Sequence, residues 1–187
     1  GLLSHEQPLI DTPPFRAPHH SASTAAVVGG GPGIRPGEAS LAHRGVLLLD
    51  ELAEFPRPTL EALRQPLEDG FVCIARAAGR ALFPARFQLV AAMNPCPCGA
   101  RGDPGAECSC TVQRLAAYRG KLSRALLDRF DLVIAVPRPR SDELAAGPGE
   151  ASAPVAERVA SARELLAVAP LRRTPDADEL LTRAVDR

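Results

Sequence analysis

The sequence predicts an α/β domain built on a parallel sheet, and three observations predict it. Gly45-Val46-Leu47-Leu48-Leu49 is an apolar run that ends in two adjacent carboxylates, Asp50 and Glu51. A second run, Phe87 to Met93, ends at Asn94, and a third spans Leu132 to Val136. Runs this apolar read as strands buried on both faces, as parallel sheets covered by helices are. Helical patterns lie between them, so strands and helices alternate.

The other elements follow in chain order. Residues 1–20 are Pro-rich. A helix starts near Ser21 to Ala26, with Ser21 or Ser23 as N-cap, and Gly29 to Gly33 ends it. Phe55 to Pro58 makes a turn. Thr59 to Asp69 reads as a helix with Leu60, Leu63 and Leu67 on one face, kinked or shortened by Pro66 and stopped by Gly70. Phe71 to Ala75 and Ala81 to Phe83 form a β-hairpin with Arg76 and Arg80 at its tip. Residues 95–110 are a Cys/Pro/Gly loop. Short helices follow at Thr111 to Tyr118 and Leu122 to Phe130. Val155 to Val168 reads as an amphipathic helix along Val155, Val159, Ala162 and Leu166, and Asp178 to Val185 as a last helix. The expected organisation is a core over 1–137, a linker over 138–150 and a helical segment over 151–187. The chain opens on Gly1 without Met, which reads as a fragment or truncated product.

Composition narrows the classes. A length of 187 residues suits one domain or one and a half, and 45% hydrophobic content is ordinary for a globular core. Lys+Arg 22 balances Asp+Glu 22, so no global field draws the chain to nucleic acid or membrane. No stretch approaches the ~20 apolar residues that span a bilayer. No basic-then-apolar leader is seen, so a cytoplasmic location is expected, with the cysteines reduced or metal-bound.

Asp50 and Glu51 at a strand's C-terminal end have the layout of a Walker B motif. One acid can hold Mg²⁺ and the other can polarise a water. Asn94 after the next strand can sense a γ-phosphate, and Arg129 in Leu126-Leu127-Asp128-Arg129-Phe130-Asp131 can neutralise transition-state charge. Each feature alone is ordinary: a solvated strand end, a turn residue, a capped helix end. All three in this order point to a nucleoside triphosphatase. No G-x-x-x-x-G-K-[ST] phosphate loop occurs in these residues, and the one lysine, Lys121, follows no such loop.

These segments, with Arg64 to Gly70 and Met93-Asn94-Pro95, resemble the magnesium-chelatase-like branch of the AAA+ ATPases. Pro14 to Ser21, Ser40 to Gly45 and Asn94 to Gly99 narrow the resemblance to the YifB/ComM family, over residues 12–137. The resemblance implies a partial AAA+ αβα sandwich with a parallel sheet, a pre-sensor-1 β-hairpin at 71–83, a Cys-rich loop and the start of a helical lid. It implies that ATP and Mg²⁺ are bound, with Asp50 on the magnesium, Glu51 activating water, Asn94 as sensor and Arg129 as the arginine finger reaching a neighbouring subunit. Gly29 to Gly37 matches an insertion that faces the ring pore. The family works as a ring, often a hexamer, and ComM proteins are similar to helicases that drive DNA branch migration. In relatives the phosphate loop lies upstream of Gly1, so this chain alone is expected not to turn over ATP. Two other readings stand: a zinc-stabilised non-catalytic remnant that binds DNA or a partner, and the motor subunit of a true magnesium chelatase. The cysteine insertion between Asn94 and Leu126 argues against the last.

Cys96-x-Cys98-x₉-Cys108-x-Cys110 suggests four thiolates on one structural Zn²⁺, against four unmetallated or redox-labile thiols. Cys73 in the hairpin reads as a buried apolar residue. Arg76 and Arg80 are candidate contacts to a nucleic-acid backbone, against a solvated hairpin. His19 and His20 read as a packed or solvated loop pair, against a metal or DNA contact, and His43 as a support for the first strand.

Overall fold

The computed structural model describes residues 12–31, 33–76, 79–103, 105–139, 141–168 and 174–179. They fall into two compact units, 1–137 and 138–187. The first unit holds a three-stranded sheet: β1 (Phe15–Arg16), β2 (Val46–Leu49) and β5 (Gln88–Ala91), in the order β1-β2-β5. Both pairings are parallel, with Arg16 opposite Leu47 and Leu49 opposite Ala91. The mixed α/β class with a parallel sheet is as expected, consistent with a partial AAA+ sandwich.

Helices α1 (Thr24–Val28), α2 (Glu38–Leu41), α3 (Arg57–Ala62) and α4 (Arg64–Asp69) contribute apolar residues to the core that buries the Leu47 and Leu49 face of β2. Leu47 and Leu49 are fully buried among Val27, Ala39, Phe55, Leu60 and Leu63. Val46 and Leu48, on the other face, are only partly covered, so β2 is less enclosed than its apolar run suggests. Ser23 caps α1 by accepting from the Ala26 amide, and Gly29 ends it at φ 106°. Arg16 grips Glu38 through two guanidinium nitrogens, tying β1 to the first turn of α2.

Pro66 acts upstream of its own position. It has no N–H to donate to Ala62 and its ring crowds that carbonyl, so α3 ends at Ala62 and α4 restarts at Arg64. Gly70 then closes α4 at φ 74°, its N–H bonded to the Pro66 carbonyl.

Strands β3 (Phe71–Arg76) and β4 (Gly79–Pro84) form the expected antiparallel hairpin, with Ala75 opposite Arg80. Its tip residues, 77 and 78, lie outside the described residues. Val72, Ile74 and Ala85 pack with Val28, Ile34, Phe83 and Phe87 in a second small core. Through Ile34 the glycine loop after α1 leans on the hairpin.

Two expectations need correction. Leu132 to Val136 is not a strand: it joins no ladder, and Leu132, Val133, Ile134 and Val136 are 77–88% exposed. An apolar run becomes a buried strand only when a neighbouring edge satisfies its amides and carbonyls, and among the described residues none does. The helix expected over Leu122 to Phe130 shrinks to α6 (Arg124–Leu127), because Ser123 caps it by accepting from the Leu126 amide. Within the stretch expected as a linker, 138–150, lies a short helix, α7 (Ser141–Ala145). In the second unit α8 (Ser152–Val168) is helical as expected, yet none of its residues is buried. Most of the last expected helix lies outside the described residues; 175–179 are helical.

Gly45 sits where β2 enters the sheet. A Cβ there would stand 1.9 Å from the Pro14 carbonyl oxygen, which accepts from Val46 N–H. That oxygen is ladder backbone and cannot yield. Gly45→Ala is therefore expected to lower the urea midpoint by the equivalent of at least ~2 kcal/mol, the scale of overpacking a core. A midpoint within error of wild type would show that β1 is free to move away.

Candidate functional site

The parallel ladder brings the C-terminal ends of β1, β2 and β5 to one edge of the sheet, where open α/β sheets place their ligands. Leu52 N–H donates to the Ala92 carbonyl at 2.9 Å, so the chain leaving β2 stays bonded to the chain leaving β5. Asp50 and Glu51 therefore emerge beside the segment that carries Asn94.

Both acids are exposed. Asp50 Oδ1 accepts from the Glu51 amide at 2.9 Å. An exposed carboxylate at a strand end is a hard oxygen ligand of the kind Mg²⁺ takes. Glu51 adopts the left-handed conformation, φ 52° and ψ 47°. Non-glycine residues rarely do so, and such strain tends to mark functional sites. Glu51 Oε2 lies 2.9 Å from His20 Nδ1, a contact that residue spacing did not suggest.

Asn94 is exposed, and its carbonyl accepts from the Tyr118 hydroxyl at 3.1 Å. Tyr118 belongs to α5 (Val112–Arg119), which Thr111 caps by accepting from the Arg114 amide. Burial raises the tyrosine pKa, with the charges of Glu54, Cys96 and Glu51 adding to it, so the hydroxyl stays a donor. Lys121 pairs with Glu54 at 3.2 Å and stands 5.9 Å from the Tyr118 ring centroid. These contacts bind the far side of the cysteine loop to the strand ends.

Arg129 is exposed beyond α6 and donates to Glu68 Oε1 at the end of α4. Its guanidinium is thus held by Glu68 and not by either acid after β2. His43 accepts from the Arg86 amide through Nδ1 at 3.1 Å, which joins the turn before β2 to the lead-in of β5. Burial lowers its pKa, helped by Arg44 and Arg86, and the neutral ring is the form that can accept.

The four cysteines of the loop come together. Their sulfurs lie within 4.8 Å of one another, with Cys96–Cys98 at 3.3 Å and both Cys98–Cys108 and Cys96–Cys108 at 3.7 Å. A tetrahedral zinc site with Zn–S of ~2.3 Å has sulfur–sulfur edges of ~3.8 Å, so the cage is close to the right size. The amide of Ala100 bonds the Cys98 thiol and, with Cys96 and Cys110, brings its pKa down to about 6. The Arg101 amide donates to Cys96 Sγ at 3.3 Å. Burial pushes Cys110 up to about 11, the nearby Cys98 adding to it. A divalent cation would remove that cost by neutralising the thiolates. The site is open enough for exchange: Cys96 is buried, Cys98 exposed, the other two between.

Cys73 is half-buried and is no simple core residue: it accepts from Arg80 Nε at 3.1 Å. That contact folds Arg80 back across the hairpin, while Arg76 reaches toward the glycine loop near Gly30.

The family relationship rests on comparison of the whole sequence. A model of the family described as magnesium chelatase, subunit ChlI, matches residues 2–144. The chain belongs to that family. A protein of Mycobacterium tuberculosis described as uncharacterized is 56% identical over 168 residues, 89% of this chain and 33% of its own length. YifB of Escherichia coli is 52% identical over 153 residues, and the competence protein ComM of Haemophilus influenzae 54% over 154; both cover 81% of this chain and 30% of their own. This Mg-chelatase-like chain is thus of the YifB/ComM kind and spans about a third of the length of those relatives. No helix among the described residues is long and apolar enough to cross a membrane.

Proposed function

We propose that this chain carries the water-activating half of the ATP site of a Mg-chelatase-like AAA+ motor that acts on DNA. The observation that carries the reading is the bonded pair of strand ends, which places Asp50, Glu51 and Asn94 on one edge of the parallel sheet. Mg²⁺, when bound with ATP, neutralises phosphate charge. Asp50 holds that ion, Glu51 accepts a proton from the attacking water, and Asn94 aligns the water against the γ-phosphate. Arg129 acts in trans in a ring, often a hexamer in such motors, and must leave Glu68 to do so. The four cysteines hold one structural Zn²⁺ that braces the loop after Asn94. A core of 1–137, a linker of 138–150 and a helical segment of 151–187 suit this assignment, as does a cytoplasmic location.

Arg76 and Arg80 on the hairpin, with the glycine loop against it, are the proposed contact to the DNA backbone. Few aromatic residues are available to stack bases, so backbone charge carries the contact. Branched DNA is expected to stimulate ATP hydrolysis by the full-length gene product. Arg76→Ala with Arg80→Ala should flatten the slope of log affinity against log salt by ~1.8, about 0.9 for each lost phosphate contact. DNA that neither binds nor stimulates would remove DNA as the substrate.

The lack of a phosphate loop among these residues favours a second reading for the chain by itself: a zinc-stabilised module that does not turn over ATP. Backbone amides and the lysine of such a loop make most phosphate contacts. ATP hydrolysis by the full-length gene product separates the two, since turnover that Glu51→Gln abolishes would sink the non-catalytic reading.

A further inference from the structure

Parallel pairing sets Phe15 opposite Val46 and Arg16 opposite Leu47. The same offset carries His20 level with Glu51, just past the C-terminal ends of two adjacent strands. The contact forms there, Nδ1 to Oε2 at 2.9 Å.

Both partners are held by other groups. The His20 ring lies against His19, centroids 4.0 Å apart, and meets the edge of Phe55 at 6.4 Å and 79°. Phe55 is a fully packed core residue, so the ring rests on a fixed surface. His19 is in turn locked by Ser21, whose amide donates to His19 Nδ1 at 3.2 Å. On the other side, Glu51 keeps its left-handed backbone while its amide is bonded to Asp50. The side chains of His20 and Glu51 are 32% and 54% exposed. Pairs this open add little to stability, so the contact is better understood as aiming the carboxylate than as holding the fold.

We propose that His20 is a positioning residue for Glu51. Its Nδ1–H holds one carboxylate oxygen and leaves the other to accept the proton of the attacking water. This rests on the assignment of Glu51 as the base made above. A neutral imidazole that donates through Nδ1 leaves Nε2 as an acceptor, and the hydrogen bond selects that tautomer.

Two measurements test it. In ¹⁵N spectra of the 187-residue chain, the ring of His20, identified by its loss in His20→Asn, should show Nδ1 as the protonated nitrogen. In Glu51→Ala it should shift toward the Nε2-protonated form. Ring shifts unchanged by Glu51→Ala overturn the contact. In the full-length gene product, His20→Phe keeps the ring packing on Phe55 and removes the donor. Its kcat should fall at least ~10-fold, with KM for ATP within ~2-fold, because orientation and not binding is lost. His20→Asn, whose amide can stand where Nδ1 stood, should recover most of that rate. Full or raised kcat in His20→Phe, while Glu51→Gln is inactive, overturns the role of His20 alone. A wild type that does not hydrolyse ATP overturns the assignment of Glu51 itself.

Discussion

Glu51→Gln in the full-length gene product is expected to abolish ATP hydrolysis and leave ATP bound. The amide keeps the shape of the side chain and can still accept from His20, so the strand end should not rearrange. It cannot take a proton from water. General-base catalysis is commonly worth 10²–10⁴-fold, so kcat should fall by at least ~100-fold, or ~2.7 kcal/mol of transition-state stabilisation. Binding of a fluorescent ATP analogue should change by less than ~3-fold, because phosphate contacts come from backbone amides and basic groups and not from Glu51. Phosphate release and nucleotide titration on one preparation give both numbers. Turnover at the wild-type rate would remove Glu51 from the chemistry. Joint loss of binding and turnover would instead make Glu51 part of the magnesium site. Asp50→Asn should behave in that second way, since its carboxylate is the proposed ion ligand.

The elements that could be read from sequence are those set by short-range physics. Val46 to Leu49 is apolar enough to form a strand in any α/β context. Ser23 and Thr111 start helices through their side chains, and Gly70 ends one through its positive φ. The cysteine spacing announced a cluster because four thiols in fifteen residues can reach one point. What escaped depends on pairing at a distance. Leu132 to Val136 looks like β2 in composition, but a strand also needs an edge to bond to. The His20–Glu51 contact was hidden for a similar reason. His20 lies 31 residues from Glu51 in the chain, and only the register of β1 on β2 sets them level. An equal count from each strand end would have found the contact once that register was known. Arg129 was recognised by its motif, whereas its partner Glu68 lies at the end of a helix whose start depends on Pro66.

Removal of metal should be felt at Asn94. The purified chain, kept reduced, is expected to hold close to one zinc per molecule. The loop after Asn94 has few buried residues of its own, Cys96 being the exception, so it lacks the apolar contacts that would order it without an ion. Cys96 is two residues from Asn94, and at the far end of the loop Tyr118 returns to bond the Asn94 carbonyl. Loosening the cage therefore frees both anchors of that asparagine. Tyr118 is the one tyrosine and the chain has no tryptophan, so intrinsic fluorescence reports this contact directly. Chelation at neutral pH should shift tyrosine emission and lower the melting temperature, and added Zn²⁺ should restore both. Cys98→Ser should cut the zinc content well below one, since the remaining three thiolates leave a coordination position to water. Cys73→Ser should leave it unchanged, because that sulfur faces Arg80 in the hairpin. Zinc absent from a reduced, folded preparation would mean that hydrogen bonds from the Ala100 and Arg101 amides suffice to gather the sulfurs. Tyr118 would then hold Asn94 without an ion, and chelators would leave its emission where it was.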